Sequence, residues 1–445
     1  MIMGVSGARG LVGAALTAEV ASRLAAAFGY AREGSVLVAR DSRPSGAALA
    51  QSVCAGLASV GCRPVMAAIC TTPGAQVGVE RLGLSGGIMI TASHNPAPWN
   101  GLKFIESDGA FITAEQARAV YTRAAGEFPR RAWDGWPAPA ASPDIGLLHA
   151  ELIGRSPLID AVAIRRCGLR VVVDSNHGAA GPLIRMLARM LDMRLTVLGE
   201  DPTGLFKHTP EPIPEHLGEL ASVVAESGAD VGAAIDPDGD RLTLCTREGL
   251  LPEEATLAII AAAMLRPGDG PVVTNLSTSR MIDDVAGRRG VPVIRTPVGE
   301  AHVVAAMKAV GSSLGGEGNG GIIIPSIHHG RDAAAGLAIL LSHMALTGQT
   351  LSRLWEDIPK YAMAKRKVAI GPDALERFSR SLESSFDGFT LDTRDGFKLI
   401  WPNRWLHVRR SNTEPVARII AESPDRAEVA AMIGAAERLL TDEEG

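Results

Sequence analysis

Apolar and polar positions follow one another along this chain in a recurring order. A short β-branched run comes first, a loop of Gly, Asp, Ser or Asn ends it, and an Ala- and Leu-rich stretch with helical spacing follows. Ser35 to Val38 ends at Arg-Asp-Ser-Arg-Pro (40–44), and Ala47 to Val60 then has the helical period. Gly87 to Ile90 ends at Thr-Ala-Ser-His-Asn-Pro (91–96). Arg170 to Val173 ends at Asp-Ser-Asn-His-Gly (174–178), ahead of a helix predicted over Pro182 to Leu191. Asp230 to Ile235 ends at Asp-Pro-Asp-Gly-Asp-Arg (236–241). Pro271 to Thr274 ends at Asn-Leu-Ser-Thr-Ser (275–279), ahead of a helix predicted over Arg280 to Arg289. This order predicts α/β units with largely parallel sheets. Ligands of such units gather at the carboxyl ends of strands, where each of these polar loops falls.

The pattern breaks at Phe128 to Pro143, which reads as a linker, near Leu244 to Glu254, and near Ile358 to Lys365. Beyond Lys367 charge and aromatics increase and the cycle is lost, which predicts a smaller α+β unit. A length of 445 residues suggests about three domains, with room for four.

Composition narrows the class. Hydrophobic residues at 46% and charged residues at 21% are those of a globular chain and exclude disorder as its main state. A net charge of −5 gives no general attraction to nucleic acid or an anionic membrane. The five cysteines form no CxxC pair, against a disulfide scaffold or a cysteine-zinc site. The N-terminus lacks a basic region followed by a long apolar run. Apolar stretches such as Leu257 to Leu265 fall short of the ~20 residues a bilayer span needs. The expected location is the cytoplasm.

Four loops carry candidate chemistry. In the first, Asp236, Asp238 and Asp240 alternate on a tight turn after an apolar strand, closed by Arg241. Oxygen-only ligands at this spacing suit Mg²⁺ or a similar hard cation. An EF-hand would need Gly and Glu where Arg241 and Arg247 stand, so it fails. An acidic surface turn is the plainer alternative. In the second, Ser93 and His94 lie in a polar loop ahead of Asn100-Gly101-Leu102-Lys103. Ser93 could be a nucleophile or a phosphate carrier there, and an Asn-Pro turn is the alternative.

The third loop, Gly315 to Gly321, carries Glu317 and Asn319 and fits GxGxxG from Gly316. An apolar strand pattern follows instead of a helix, so a dinucleotide site is excluded. One acid and one amide on a backbone-rich loop suit sugar hydroxyls; a glycine-rich hairpin is the alternative. Gly83 to Gly87 fits GxSxG, and there too the following strand excludes a nucleophile elbow. In the fourth, Arg409, Ser411, Asn412 and Thr413, with Arg418 beyond, offer guanidinium, hydroxyl and amide donors for a phosphate, or else make a charged surface turn.

In this order the four loops resemble those of the α-D-phosphohexomutases: phosphoglucomutase, phosphomannomutase and phosphoglucosamine mutase. Gly4-Val-Ser-Gly-Ala-Arg9-Gly, the 40–45 loop and Thr71-Thr-Pro-Gly74 extend the likeness over nearly the whole chain. The resemblance implies four domains around a central cleft: three α/β domains with mixed sheets at 1–140, 145–246 and 247–360, and a smaller α+β domain at 365–445. It implies that Ser93 carries a phosphoryl group, and that Asp236, Asp238, Asp240 and the phosphoserine hold Mg²⁺. Glu317 and Asn319 then contact the sugar. Arg409, Ser411, Asn412 and Thr413 take the non-transferring phosphate, with Arg418 nearby. Arg9, Lys103 and Arg241 surround the reacting phosphoryl group, with His94 beside it.

The expected partners are hexose phosphates alone, with hexose 1,6-bisphosphate as intermediate and activator, for a monomer or homodimer. Two departures stand out. Many members end the sugar loop with a His where Gly321 stands, for which His328 or His329, close in sequence, is the candidate substitute, and Glu300 replaces a His found in some relatives. The Glu-x-Asn-Gly-Gly form resembles an archaeal and Bacteroidetes-like branch. Two other classes fit the same loops: a serine-dependent sugar phosphatase, and a sugar-phosphate-binding protein without catalysis.

Overall fold

The computed structural model describes residues 1–5, 7–411 and 416–441. Four sheets succeed one another along the chain. The centre of the first, seven-stranded sheet is Gly86–Ile90, buried throughout. It pairs in parallel with Ser35–Arg40 and antiparallel with Trp99–Ile105. Gly7–Leu11 joins on the far side of Trp99–Ile105, again antiparallel. The five-stranded second sheet is built on Arg170–Asp174 and Val231–Ile235, which run parallel, with Leu242–Thr246 returning antiparallel. In the third, Val272–Asn275 runs parallel to Gly315–Glu317, which turns into the antiparallel strand Gly321–Ile324. The fourth is antiparallel throughout and is covered by the helix Arg426–Thr441.

The first three sheets are therefore mixed where the sequence pattern predicts mostly parallel ones. A parallel crossover needs about a dozen residues or more. The 236–241 and 318–320 loops are too short for one, so their strands must reverse. The stretch from Phe128 to Pro143 includes a 3₁₀ turn at Trp133–Gly135 and a short strand, Ala140–Ala141, that extends the first sheet's edge. The break at Leu244 falls inside a strand and reflects its hairpin to Gly249–Leu250. Lys365 likewise lies within a strand, Ala362–Ala369.

Packing explains why the domain count was loose from length alone. The second and third units share one apolar core, running from Ala150 to Ile358. The helix Ala333–Thr347 is apolar almost all round and sits inside it. The helix Ala180–Leu191 presents Leu183, Ile184, Leu187 and Leu191 on one face. Burying each such side chain contributes about 1.5–3 kcal/mol. These helices fix the sheets, and the loops at the strand ends are thereby aimed at a common cleft. No helix among the described residues is long and apolar enough to cross a membrane.

Candidate active site

Ser93 follows the buried strand Gly86–Ile90 and has φ of 50°. A non-glycine residue there is strained by about 1 kcal/mol or more and persists only where its surroundings over-determine it. The fully buried guanidinium of Arg43 does so. Arg43 Nη2 donates to the carbonyls of Ser93 (2.7 Å) and Asn95 (2.6 Å), and Nη1 to those of Pro96 and Trp99 (both 2.9 Å). Asp41 accepts from Arg43 Nε at 3.2 Å and from Thr91 Oγ1 at 2.6 Å, and Thr91 Oγ1 in turn accepts from Ser93 N. Burial pushes the Asp41 carboxyl up to about 6 even beside Arg43.

The acidic turn follows the buried strand Val231–Ile235. Asp236 Oδ1 accepts from the backbone N–H groups of Asp240 and Arg241, both at 3.0 Å, which folds the turn back on itself. Gly239 has φ of 80°, and a Cβ there would lie 2.5 Å from Thr71 Cγ2. Glycine thus lets the turn dock on the first domain. There Thr72 Oγ1 donates to Asp238 Oδ2 at 2.6 Å and Lys103 Nζ to the same oxygen at 2.7 Å. Ser93 Oγ reaches Asp236 Oδ2 at 3.1 Å.

All three Asp are buried, and their ligand oxygens lie within 4.8 Å of one another. Among the described residues, Asp238 Oδ1 and Asp240 Oδ1 are buried without a hydrogen-bond partner. Buried carboxylate oxygens left this way are costly unless a cation takes them up. Burial raises the Asp236 carboxyl well above its ordinary range, and its neighbours Asp240 and Asp238 add to that. Burial acts the same way on Asp238, but Lys103 outweighs it and holds that carboxyl below the usual range. Three converging carboxylates, two of them with an unpartnered oxygen, and one hydroxyl fit a hard divalent cation.

Above this floor opens a cleft of about 420 Å³. Arg9, His94 and Lys103 line it from the first domain, and Glu211 and Arg241 from the second. The third gives Asn275, Ser277, Glu300, Glu317, Asn319 and Arg331, and the fourth Lys365, Arg409, Ser411 and Arg418. Ser93, Asp238 and Asp240 lie one contact deeper, against His94 or Lys103, and Asp236 lies against Ser93. Arg9 donates to Asn95 Oδ1 at 2.8 Å. His94 Nδ1 is 3.3 Å from Ser93 Oγ. Burial, with Arg241 and Arg9 nearby, lowers the His94 imidazole well below its ordinary range, so it is neutral at pH 7.

Glu317 and Asn319 stand on the tight hairpin between Gly315–Glu317 and Gly321–Ile324. Asn319 Oδ1 accepts from Gly321 N at 3.2 Å and closes the turn. Arg409 and Arg418 are paired positions on adjacent strands, so two guanidinium side chains enter the cleft together. Asn412 and Thr413 lie outside the described residues.

Two histidines are placed differently from the sequence expectation. Neither His328 nor His329 lines the cleft. His328 is buried, and its Nε2 meets Asp332 Oδ2 at 3.1 Å, next to His149 on the same oxygen at 2.7 Å. From the strand His328–Arg331 it is Arg331 that reaches the cleft. Sequence reasoning missed this arginine. Arg331 donates to Asp240 Oδ2 at 2.6 Å and to Glu317 Oε2 at 2.7 Å, and its Nε stands 3.0 Å from Glu300 Oε2. Arg43 was also missed as an individual, although its loop was noted. So was Lys365, which ties the fourth domain to Glu253 (2.8 Å) and Glu254 (2.9 Å) of the third.

Comparisons with known proteins agree with this build. The four domain profiles of phosphoglucomutase/phosphomannomutase match in order: α/β/α domain I over residues 1–130, II over 150–249, III over 252–361 and the C-terminal domain over 386–437. A phosphoglucomutase/phosphomannomutase of Thermococcus kodakarensis is 35% identical over 440 residues, covering 95% of this chain and 94% of that protein. A probable phosphoglucosamine mutase of Methanopyrus kandleri is 36% identical over 434 residues, with 95% and 94% covered. The crystal structure of a phosphoglucomutase/phosphomannomutase family protein from Burkholderia thailandensis superposes with a TM-score of 0.85 at 26% identity, covering 99% of this chain and 96% of that one.

The architecture is that of a phosphohexomutase, an isomerase of hexose phosphates. The chain belongs to the phosphoglucomutase/phosphomannomutase family.

Proposed function

We propose that this phosphohexomutase interconverts hexose 6-phosphate and hexose 1-phosphate through phosphorylated Ser93 and a hexose 1,6-bisphosphate. The observation that carries this is the hydroxyl of Ser93 held 3.1 Å from Asp236, within a buried acidic cluster that Lys103 also touches. Asp236, Asp238, Asp240 and the phosphoserine would hold Mg²⁺, which would supply charge neutralisation for the transferring group.

The chain's own groups do the rest. Arg43 fixes the backbone of the serine loop so that Oγ points at the acidic turn. Lys103, Arg9 and Arg241 offset the charge of the reacting phosphoryl group, and His94 lies beside it, next to Ser93 Oγ. Glu317 and Asn319 orient the sugar. Arg409, Ser411, Asn412, Thr413 and Arg418 hold the phosphate that is not moving. That cradle must serve either end of the sugar as the bisphosphate turns over, which suits several donors on one loop better than a single rigid fork.

Among hexoses the reading leans to glucosamine phosphate. What supports it is the Glu317 carboxylate, which can meet an ammonium group, and relatives named for that substrate. Phosphomannomutase or phosphoglucomutase activity is the alternative, supported by the similarly close relative of that name. The working place would be the cytoplasm, with hexose phosphates as the only partners. The test is phosphorus NMR on the full chain with Mg²⁺, a trace of hexose 1,6-bisphosphate and glucosamine, glucose and mannose 6-phosphates. The corresponding 1-phosphates are expected. Inorganic phosphate alone would mean a phosphatase, and no turnover would mean a binding protein.

A further inference from the structure

The carboxylates of the third domain that line the cleft are not alike. Glu317 accepts from Arg331, from Asn275 at 2.8 Å and from the backbone of Gly299 at 3.1 Å. Glu254 accepts from Lys365 at 2.9 Å on one oxygen and from Ser279 N at 2.9 Å on the other. Glu300 differs. It is buried, opens the helix Glu300–Val310, and receives only Gln76 Nε2 at 3.3 Å on its Oε1. Among the described residues its Oε2 has no hydrogen-bond partner, because Arg331 Nε stands 3.0 Å away but is not aligned to donate. Glu300 thus lines the cleft with one buried carboxylate oxygen that accepts no hydrogen bond and is balanced only by the neighbouring guanidinium, an arrangement in which a carboxylate can take up a proton.

We propose that Glu300 is the proton carrier of the mutase reaction, a role that rests on the functional reading above. In the first transfer the sugar hydroxyl oxygen bonds to phosphorus and its proton passes to Glu300 Oε2. The Ser93 Oγ–P bond breaks, its electron pair stays on Oγ, and Oγ is protonated by cleft water. In the second transfer Oγ gives its proton back to water and attacks the other phosphoryl group. The sugar oxygen leaves with the electron pair of that bond and takes the proton from Glu300. The carboxyl ends each cycle as it began. It must be ionised for the first step and protonated for the second, so it should titrate near the working pH. Burial pushes Glu300 up to about 7. Of the charged groups facing it, Asp240 and Glu317 raise it, while Arg331 and Lys103 lower it.

The test begins with wild-type enzyme. If it makes no hexose 1-phosphate, the mutase reading fails and this role falls with it. If it is active, kcat should decline as pH drops through the region near 7. In Glu300→Gln, kcat should fall ~100-fold or more and that acidic limb should vanish, with KM moving less than about threefold. Formate should restore part of the rate to Glu300→Ala. Three results would overturn the proposal with the mutase reading intact. One is a wild-type kcat independent of pH from about 5 to 8. Another is a Gln variant within about threefold of wild-type kcat. The last is a variant whose loss appears in KM with the acidic limb unchanged, which would leave Glu300 only a support for Arg331. Should the Gln variant fail to fold, the wild-type profile and formate rescue decide alone.

Discussion

Ser93 Oγ donates to Asp236 Oδ2 across 3.1 Å, although 143 positions separate the two residues. The contact joins the first domain to the second at the point where the chemistry is proposed. If Ser93 carries the phosphoryl group, Ser93→Ala should lower mutase turnover by about 10³-fold or more. Arg43 holds the loop through backbone carbonyls, which the substitution leaves in place, so the melting transition should stay cooperative. Intact mass of active wild type should show a phosphate adduct mapping to Ser93. Full activity in the Ala variant would remove the phosphoserine mechanism.

The acidic turn gives a second expectation. Three carboxylates and a phosphoserine of roughly −2 cannot share one small volume without a dication. EDTA should therefore abolish turnover, and Mg²⁺ should restore it. Asp238→Asn should raise the Mg²⁺ concentration needed for half activity, since it removes one anionic ligand and weakens the grip of Lys103. Activity that survives rigorous chelation would contradict the assignment.

Arg331 meets Asp240, Glu300 and Glu317 in a buried cluster. Removing one member of such a cluster leaves the others as uncompensated charge, at a cost of about 3–5 kcal/mol. Arg331→Met fills similar volume without the charge and should lower the urea midpoint by a corresponding amount. It should also reduce turnover, because the sugar loop and the acidic turn lose their common anchor. A midpoint unchanged from wild type would show that the carboxylates find other compensation.

The fate of Arg331 shows what could be read from the sequence. Asp236, Asp238 and Asp240 stand out in the sequence because their spacing of two on one turn makes a local pattern, readable as a cation site or as an acidic turn, and the structure brings their oxygens together. Ser93, Lys103 and Glu317 were legible through the order of their loops. Arg331 sits in the short run His-His-Gly-Arg-Asp (328–332), which matches no site motif, and its partners lie 14, 31 and 91 positions away. Nothing local announces such a residue. The same holds for His328, whose proximity in sequence to the sugar loop suggested the cleft. Its side chain goes instead to Asp332. Sheet direction failed for a related reason: period-two patterns mark strands, and only the loop lengths at 236–241 and 318–320 decide which way the next strand runs.

Asp332 carries a pH expectation. Its Oδ2 accepts from His149 and His328, and its Oδ1 caps the helix Ala333–Thr347 through Ala335 N at 3.0 Å. Burial would raise this carboxyl, but the two histidines outweigh it and hold it well below the usual carboxylate range. A depressed folded value means stability that is fully present above the unfolded value of ~3.9 and lost as pH falls towards the folded one. Asp332→Asn keeps a cap acceptor and removes the charge. The variant should be markedly less stable than wild type at pH 7, and the gap should narrow below about pH 4. Urea unfolding across that range measures it, and a gap constant with pH would show that charge is not what the histidines recognise.

Sugar choice turns on Glu317. A carboxylate offers about four lone-pair sites. Arg331, Asn275 and the Gly299 backbone occupy three, which leaves one direction for a ligand. If that ligand is the ammonium group of glucosamine phosphate, the charge-assisted bond contributes roughly 1.5–3 kcal/mol, or about ten- to hundredfold in binding. Glu317→Gln keeps one acceptor, but its amide N–H₂ must face Arg331 or Asn275, both donors. Some loss is therefore expected on every sugar. The informative quantity is the difference: kcat/KM for glucosamine 6-phosphate should fall about tenfold further than for glucose or mannose 6-phosphate. An equal loss on all three would mean that Glu317 reads hydroxyls and steadies Arg331, and the preference for glucosamine would have to come from another part of the cleft.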